Sequence, residues 1–461
     1  MSGRGQTSLQ AEAADPMNGA RCQYDAIVIG LGRTGLAALR YLQSAGRRVA
    51  AADTRSDPPS IDTVRQELPG IHIRTGRLDA AWLTTARCLV VSPGVPVREP
   101  AIQEARVAGV EVLGDIELFA RVVDAPVIAI TGSNGKSTVT RLVELMGREC
   151  GIEIAAGGNI GMPVLELLDG PPRQAYVLEL SSFQLETTES LRPAAAAVLN
   201  VSPDHMDRYV SFDDYRAAKA RIYAGARAVV CNRGDPATRP PGTGAGVWTF
   251  GLDAPAGERD FGLVVDGAAT WLASGRGRLV EARRLALAGR HNQANVLAAL
   301  ALGAAAGWDP APCVAAAQRF TGLPHRMEPV AERAGVRWIN DSKATNVGAA
   351  AAALGGAGAP AVLIAGGDGK GADFQPLRHA VAATARAVVL LGRDAPLIER
   401  ALGDAVPVHR AVDLDDAVRQ AAELARAGDV VLLSPACASF DMFPDYEHRG
   451  DAFRAAVARL P

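Results

Sequence analysis

From about residue 25 onward, short apolar runs rich in Val, Ile and Ala alternate with longer stretches rich in Ala, Leu and Arg. The first kind reads as buried strands and the second as helices. Their regular alternation predicts parallel sheets joined by crossover helices. Many of the apolar runs stop abruptly at a small or polar residue. Val49–Ala52 stops at Asp53, Cys88–Val91 at Ser92-Pro93-Gly94, Ile128–Ile130 at Thr131 and Tyr176–Leu178 at Glu179. Val198-Leu199 stops at Asn200, Val336–Ile339 at Asn340-Asp341, and Val430–Leu433 at Ser434-Pro435. In open α/β sheets ligands bind outside the carboxyl ends of strands, so the chemistry is expected at these stops.

Two seams interrupt the pattern. Gly114-Asp115 reads as the cap of a helix beginning Ile116-Glu117-Leu118, and Thr321-Gly322-Leu323-Pro324 is a turn-forming stretch after an Ala-rich helix. They predict three domains, 24–114, 115–322 and 323–461, behind a polar, Ala/Gly-rich tail of residues 1–23 that is expected to be disordered. The segment Asp235–Gly257, rich in Pro, Gly and Ala, is expected to be an irregular excursion on the middle domain.

Composition narrows the classes. A chain of 461 residues is too long for one ordinary core, and its 48% apolar content is that of a globular protein. A formal net charge of −2 gives no reason to expect nucleic acid or an anionic membrane as a partner, so any phosphate recognition must be local. The six cysteines show no CxxC spacing, which argues against a zinc site or a disulfide framework and for a reducing cytoplasm. There is no signal-peptide pattern and no apolar run long enough to span a bilayer.

Two phosphate-binding signatures stand in one chain. The first is Gly30-Leu31-Gly32-Arg33-Thr34-Gly35, after Ala26–Ile29 and followed at the usual distance by Asp53. This is the dinucleotide fingerprint, in which glycines let the backbone approach a diphosphate at a helix N-terminus. Arg55 and the lack of any redox apparatus count against NAD, and the same physics suits a UDP-sugar. The second signature is Gly132-Ser133-Asn134-Gly135-Lys136-Ser137-Thr138, after Val127–Ile130. Backbone N–H groups and the Lys136 ammonium can cradle β- and γ-phosphates, and Ser137 or Thr138 can ligate Mg²⁺. Its spacing is not standard: Ile130 stands where the first glycine of a phosphate loop is usual. A chain with both loops is expected to hold two phosphorylated ligands and let one react with the other.

Other residues are open to two readings. Glu179 at a strand end is placed like a metal-holding carboxylate, yet equally suits helix capping. His205, in Pro203-Asp204-His205-Met206-Asp207, suits either a ligand or a hydrogen-bonded structural histidine. Lys219, in the helical stretch Tyr215–Tyr223, reads as solvated. Asn292 and Asn295 share one face of the helix Gln293–Ala305 and carry the donors and acceptors that adenine needs, though Asn292 also suits an N-cap. Asp341–Asn346, Gly366–Lys370 and Ala436–Ser439 each follow a strand. If those strands neighbour one another, Lys343 and Lys370 meet two hydroxyls in a pocket for a dicarboxylate; otherwise these are scattered surface residues.

The runs ITGSNGKST, GGNIGMP, LELSSFQLE, DHMDRY, GRHNQANVLAAL, GLPHRME, NDSKATN, GGDGKGADF and SPACASFDMF together resemble the Mur ligase family, along nearly all of Ala26 to Arg459. NDSKATN and SPACAS are most similar to those members that add D-glutamate. Folylpolyglutamate synthetases share the phosphate loop and the last two domains but lack such a first domain. The resemblance implies an α/β chain of three domains: a Rossmann-like N-terminal domain, a central parallel-sheet domain of the P-loop ATPase type, and a Rossmann-like C-terminal domain. It implies ATP-dependent joining of D-glutamate to UDP-N-acetylmuramoyl-L-alanine in cytoplasmic peptidoglycan precursor synthesis, with ATP and two Mg²⁺ ions. No nucleic-acid or membrane partner is implied, and a monomer is expected.

The implied roles fall on named residues. Arg33, Thr34, Asp53, Thr54, Arg55 and Gly94 would hold the UDP part, with Asn159 and Ser181 helping to place the substrate. Gly132 to Thr138 would wrap ATP phosphates, with Lys136 and Ser137 nearest them and Ser137 also on Mg²⁺. Glu179, His205 and Lys219 would hold metal; the family's lysine at the Lys219 position is carbamylated, which makes an ammonium into a carboxylate-like anion. Asn292, Asn295, Arg326 and Asp341 would contact the nucleotide. Lys343, Thr345, Lys370, Ser439, Phe440 and Tyr446 would enclose D-glutamate. Relatives often carry Phe at Tyr446, whose hydroxyl adds a hydrogen-bonding group. Three alternatives stay open from the residues alone: a sister ligase adding a different amino acid, an NAD(P)-dependent UDP-sugar oxidoreductase, and an ATP-gated binding protein.

Overall fold

The computed structural model describes residues 22–242, 246–275, 277–287 and 289–460. The expected tail of residues 1–23 lies, but for its last two residues, outside them. The chain divides into two compact units that part between Asp115 and Ile116.

The first unit is built on a five-stranded parallel sheet. Its strands are β1 (Tyr24–Ile29), β2 (Val49–Asp53), β3 (His72–Thr75), β4 (Ala86–Val91) and β5 (Glu111–Leu113), in the order β3-β2-β1-β4-β5. β2 is buried along its whole length and β1 at all but one residue. Helices cover both faces of such a sheet, which is why its inner strands carry the apolar runs Ala26–Ile29 and Val49–Ala52. The strand order reverses between β1 and β4, which opens a crevice at their carboxyl ends. The helix Arg33–Ser44 starts there, and Gly35 in its first turn packs against the β1 loop. A Cβ on Gly35 would lie 1.9 Å from the Gly30 carbonyl oxygen. Gly35→Ala is therefore expected to destabilise this unit by about 1–3 kcal/mol, the usual range for overpacking. Calorimetric unfolding should show the loss.

The second unit holds two sheets. The larger comprises β6 (Val127–Thr131), β7 (Ile154–Gly158), β8 (Ala175–Glu179), β9 (Ala195–Val198), β10 (Ala228–Asn232), β11 (Gly246–Phe250), β12 (Asp260–Asp266), β13 (Ala269–Ser274) and β14 (Gly277–Glu281). Their order is β14-β13-β12-β11-β10-β9-β6-β8-β7. Two expectations are corrected here. β11 lies within the supposedly irregular Asp235–Gly257 and pairs parallel with β10. Its residues are mostly half-buried, and Pro and Gly crowd the segment before it, which hid the pattern. The sheet is also not wholly parallel, since β12, β13 and β14 form an antiparallel meander at one edge.

The helices Lys136–Glu149 and Arg290–Ala305 pack against this sheet. In the second, every residue from Val296 to Gly303 is buried. A helix apolar on all sides belongs inside a core, and small residues let its neighbours close in. The expected N-cap at Asn292 is corrected as well: the helix starts at Arg290 with Gly289 as its cap, so Asn292 stands in the first turn.

The smaller sheet comprises β15 (Glu328–Arg333), β16 (Val336–Asn340), β17 (Ala361–Gly366), β18 (Ala385–Leu391), β19 (Val408–Arg410) and β20 (Val430–Leu433), in the order β15-β16-β20-β17-β18-β19. β15 is an antiparallel edge strand and the others run parallel. The carboxyl ends of β16, β20 and β17 are therefore neighbours, the condition on which a dicarboxylate pocket depended.

Candidate active site

In the first unit Asp53 ends β2 and is 1% exposed. Its Oδ2 accepts from the Leu31 N–H at 2.6 Å and from Arg55 Nη2 at 2.8 Å. Its Oδ1 accepts from Arg55 N at 2.8 Å and Arg55 Nε at 2.9 Å. Burial alone would raise the carboxyl, but these donors hold it below the usual carboxylate range. The carboxylate thus serves the glycine loop and fixes a guanidinium beside it. Arg33, Thr54, Arg55 and Gly94 are exposed around the same strand ends, and Thr34 is half-buried. The surface is one for an anion.

In the second unit the phosphate loop follows β6, between the ends of β8 and β9. Lys136 Nζ folds back to donate to Gly132 O at 2.8 Å and Ser133 O at 3.0 Å. Asn200, just past β9, braces the loop: its Oδ1 accepts from Asn134 N at 2.8 Å and its Nδ2 donates to Asn134 O at 3.0 Å. Ser133 Oγ donates to Ser202 O at 2.9 Å and lies 3.1 Å from the Tyr215 hydroxyl. A Cβ on Gly135 would meet Asn295 Oδ1 at 2.4 Å, so only glycine lets the loop and that asparagine approach. Asn295 Nδ2 in turn donates to Asn292 Oδ1 at 3.3 Å. The Ser137 hydroxyl accepts from Arg326 Nη2 at 2.6 Å.

Glu179 ends β8 and is 2% exposed. Its Oε1 accepts from Asn159 Nδ2 at 2.8 Å, while its Oε2 is buried with no hydrogen-bond partner among the described residues. Glu179 does not cap the following helix; Ser181 does, in a reciprocal capping box with Gln184. His205 adopts φ +58 and packs edge-on to Phe183. Burial pulls its imidazole down to about 4, leaving a neutral ring with a lone pair to offer. Lys219 is not solvated, contrary to the sequence reading. It is buried among loop and helix atoms, its Nζ donating to Gly132 O at 2.9 Å. Lys136 and Lys219 thus share one carbonyl acceptor. Burial, with the Lys136 cation beside it, drives the Lys219 amine well below its ordinary value.

Two adjoining cavities complete the arrangement. One of about 340 Å³ is lined by Asn134, Asn292, Asn295, Arg326 and Asp341, among others. The Asp341 carboxylate accepts from Ser434 Oγ at 2.8 Å and from Met327 N at 3.2 Å, and burial raises it to about 7. The second cavity, about 400 Å³, brings together Lys136, Glu179, His205, Lys343, Lys370 and Tyr446. Thr345, Ser439 and Phe440 line it too, with Phe440 largely exposed. Lys343 stacks on the Tyr446 ring at 3.7 Å; burial and the Arg326 cation lower it to about 8. The Tyr446 hydroxyl donates to Glu447 Oε1 at 2.8 Å.

Two residues here escape sequence reasoning. Asp204, beside His205, accepts from Lys370 Nζ at 2.9 Å and from Asn346 Nδ2 at 3.2 Å, tying the phosphate-loop side to the smaller sheet. Arg449 is 3% exposed, and its guanidinium donates to Ser342 Oγ at 2.9 Å, Ser342 O at 2.7 Å and Cys437 O at 3.1 Å. It locks the loops after β16 and β20, which carry Lys343 and Ser439.

Comparison with known proteins meets this geometry. Residues 24–114 match the model of the Mur ligase MurD-like N-terminal domain, 130–303 the Mur ligase middle domain, and 325–437 the Mur ligase glutamate ligase domain. The chain is 54% identical to the UDP-N-acetylmuramoylalanine–D-glutamate ligase of Pseudomonas putida, over 94% of this chain and 97% of that one. It is 52% identical to the enzyme of that name from Nitrosococcus oceani, over 94% and 96%. Among solved structures it resembles a pseudomurein peptide ligase type C from Methanothermus fervidus, with a TM-score of 0.62 at 18% identity over 95% of this chain and all of the other. It also resembles the UDP-N-acetylmuramate-alanine ligase of Thermotoga maritima, with a TM-score of 0.60 at 20% identity over 94% and 99%. At such identities the structures speak for the fold, while the half-identical sequences speak for descent. Sheet topology, matched domains and relatives along nearly the whole length agree: this chain belongs to the Mur ligase family.

Proposed function

We propose that the protein is an ATP-dependent ligase that adds D-glutamate to UDP-N-acetylmuramoyl-L-alanine, giving ADP and phosphate, within peptidoglycan precursor synthesis. The observation that carries this reading is the 400 Å³ cavity, in which a phosphate-loop lysine and a buried carboxylate face two further lysines on a second sheet. Such a cavity suits a reaction among several anions.

The substrate carboxylate attacks the γ-phosphoryl group of ATP, forming an acyl phosphate and releasing ADP. The D-glutamate amine then attacks the acyl carbon and phosphate leaves. The first step brings two anions together. At about 4 Å and an effective dielectric of 20, two unit charges repel by about 4 kcal/mol. That is about a thousandfold in rate. Lys136 and Arg326 offset this repulsion, and positioning supplies much of the rest. Arg33, Thr34, Asp53, Thr54, Arg55 and Gly94 hold the uridine diphosphate part, and Asn159 and Ser181 help place the substrate. Asn292, Asn295 and Asp341 hold the nucleoside side of ATP. Lys343, Thr345, Lys370, Ser439, Phe440 and Tyr446 enclose D-glutamate. The domain limits 24–114, 115–322 and 323–461 follow the same division of ligands.

The residues fit a divalent cation on one condition. Among the described residues Glu179 Oε2 is a buried acceptor without a partner, and His205 is neutral. Among the described residues no three His, Cys, Asp or Glu side chains cluster as a metal site. The third donor of the implied set is Lys219, which repels a cation as an ammonium and attracts one as a carbamate. Its depressed amine is the neutral nucleophile that carbamylation by CO₂ requires. Ser137, Glu179, His205 and a carbamylated Lys219 would hold Mg²⁺, which would supply charge neutralisation on the phosphate oxygens.

An NAD(P) reading is disfavoured by Asp53. The acid that would accept ribose hydroxyls already takes four bonds from Leu31 and Arg55. The test is a phosphate-release assay with each amino acid in turn. Release is expected only with UDP-N-acetylmuramoyl-L-alanine and D-glutamate together. Release with another amino acid would move the assignment to a sister ligase, and NAD reduction without ATP turnover would overturn it.

A further inference from the structure

The far end of the phosphate-loop helix carries chemistry that the proposed reaction leaves unused. Cys150 caps the helix Lys136–Glu149, and Cys313 lies in the helix Pro310–Arg319 packed beside it. Their sulfurs are 3.8 Å apart, and both are free thiols. The two differ in access. Cys150 is partly open to solvent, while Cys313 is 2% exposed. Burial, and then the neighbouring Cys150, push the Cys313 thiol up. Cys150 stands at a helix end and is followed by Gly151 at φ +75, where the chain leaves the helix. At 3.8 Å the two sulfurs are in van der Waals contact, and a disulfide brings them to about 2 Å.

We propose that Cys150 and Cys313 form an oxidisable dithiol site that takes hydrogen peroxide as its co-substrate and closes to a disulfide in the folded protein. The accessible Cys150 sulfur attacks one peroxide oxygen. The O–O bond breaks, an S–O bond forms, and the thiol proton leaves with the departing oxygen as water. The Cys313 sulfur then attacks the Cys150 sulfenic acid. An S–S bond forms, the S–O bond breaks, and the Cys313 proton leaves with the hydroxyl as a second water. Two thiols are oxidised and one peroxide is reduced, so atoms and electrons balance. The cross-link joins the helix that begins at the phosphate loop to the helix that precedes the turn at Thr321–Pro324. It closes a chain loop that takes in most of the larger sheet, and constraining so long a loop in the unfolded chain favours the folded one.

The experiment uses the full chain and hydrogen peroxide alone. After treatment at neutral pH, thiol blocking and non-reducing digestion, mass spectrometry should find the Cys150 and Cys313 peptides joined and lighter by two hydrogens. Dithiothreitol should separate them. The unfolding midpoint of the oxidised protein should rise by a few degrees, and not in Cys150→Ser or Cys313→Ser. In Cys313→Ser, a dimedone adduct should appear on Cys150, since its sulfenic acid then lacks a partner. Sulfinic acid on Cys150 with Cys313 still blockable, or a cross-link that forms only after denaturation, would overturn the proposal.

Discussion

Lys136→Ala is expected to lower turnover by about a thousandfold or more while equilibrium binding of UDP-N-acetylmuramoyl-L-alanine persists. Lys136 is the loop's own cation, and among the described residues its hydrogen bonds run to Gly132 O and Ser133 O. It is free to exchange those carbonyls for phosphate oxygens without breaking any ion pair. Its loss restores the repulsion of about 4 kcal/mol estimated for two anions at contact, which alone is about a thousandfold. The residues proposed to hold the uridine diphosphate part lie in the other compact unit and keep their own hydrogen bonds. Phosphate release and calorimetric titration, measured on the same preparation, separate the two effects. Near-normal turnover would remove the ATP assignment from this loop.

The second large effect is expected at Lys219. Lys219→Ala should lose most activity, and short carboxylic acids should restore part of it. An ammonium here would sit 2.9 Å from a carbonyl that Lys136 already occupies, in a site with little solvent to screen either charge. A carbamate reverses the sign and turns the pair from repulsive to attractive. Alanine leaves a space the length of the lysine side chain, and formate or acetate can carry a carboxylate into it. A plain structural lysine predicts the loss without the rescue. Full activity in Lys219→Ala would mean that no carbamate takes part.

The fold was legible where strands are buried on both faces. β1, β2, β17 and β20 present unbroken apolar runs, and their abrupt polar ends mark the crevices. It was illegible at the edges. β11 to β15 are half-exposed, so their apolar patterns are diluted by polar positions that face solvent. The site divides in the same way. Lys136 and Glu179 are visible because a local pattern, strand then loop, predicts their placement. Lys219 looked solvated because the acceptor that holds it, the Gly132 carbonyl, comes from far away in the sequence, while Tyr215, one turn earlier on the same helix, gives no sign of burial by spacing alone. Asp204 reaches Lys370 and Arg449 reaches Ser342 across more than a hundred residues, so no spacing rule predicts those contacts.

The Asp204–Lys370 pair makes occupancy of the lysine competitive. An anion arriving at Lys370 swaps partners with a tethered carboxylate, so its net attraction is the small remainder of two similar interactions. The displaced Asp204 keeps its bonds from Asn346 Nδ2 and from the His205 N–H, so the exchange leaves no bare carboxylate. Weak capture at this corner would let a product carrying the same group depart as readily as its precursor came.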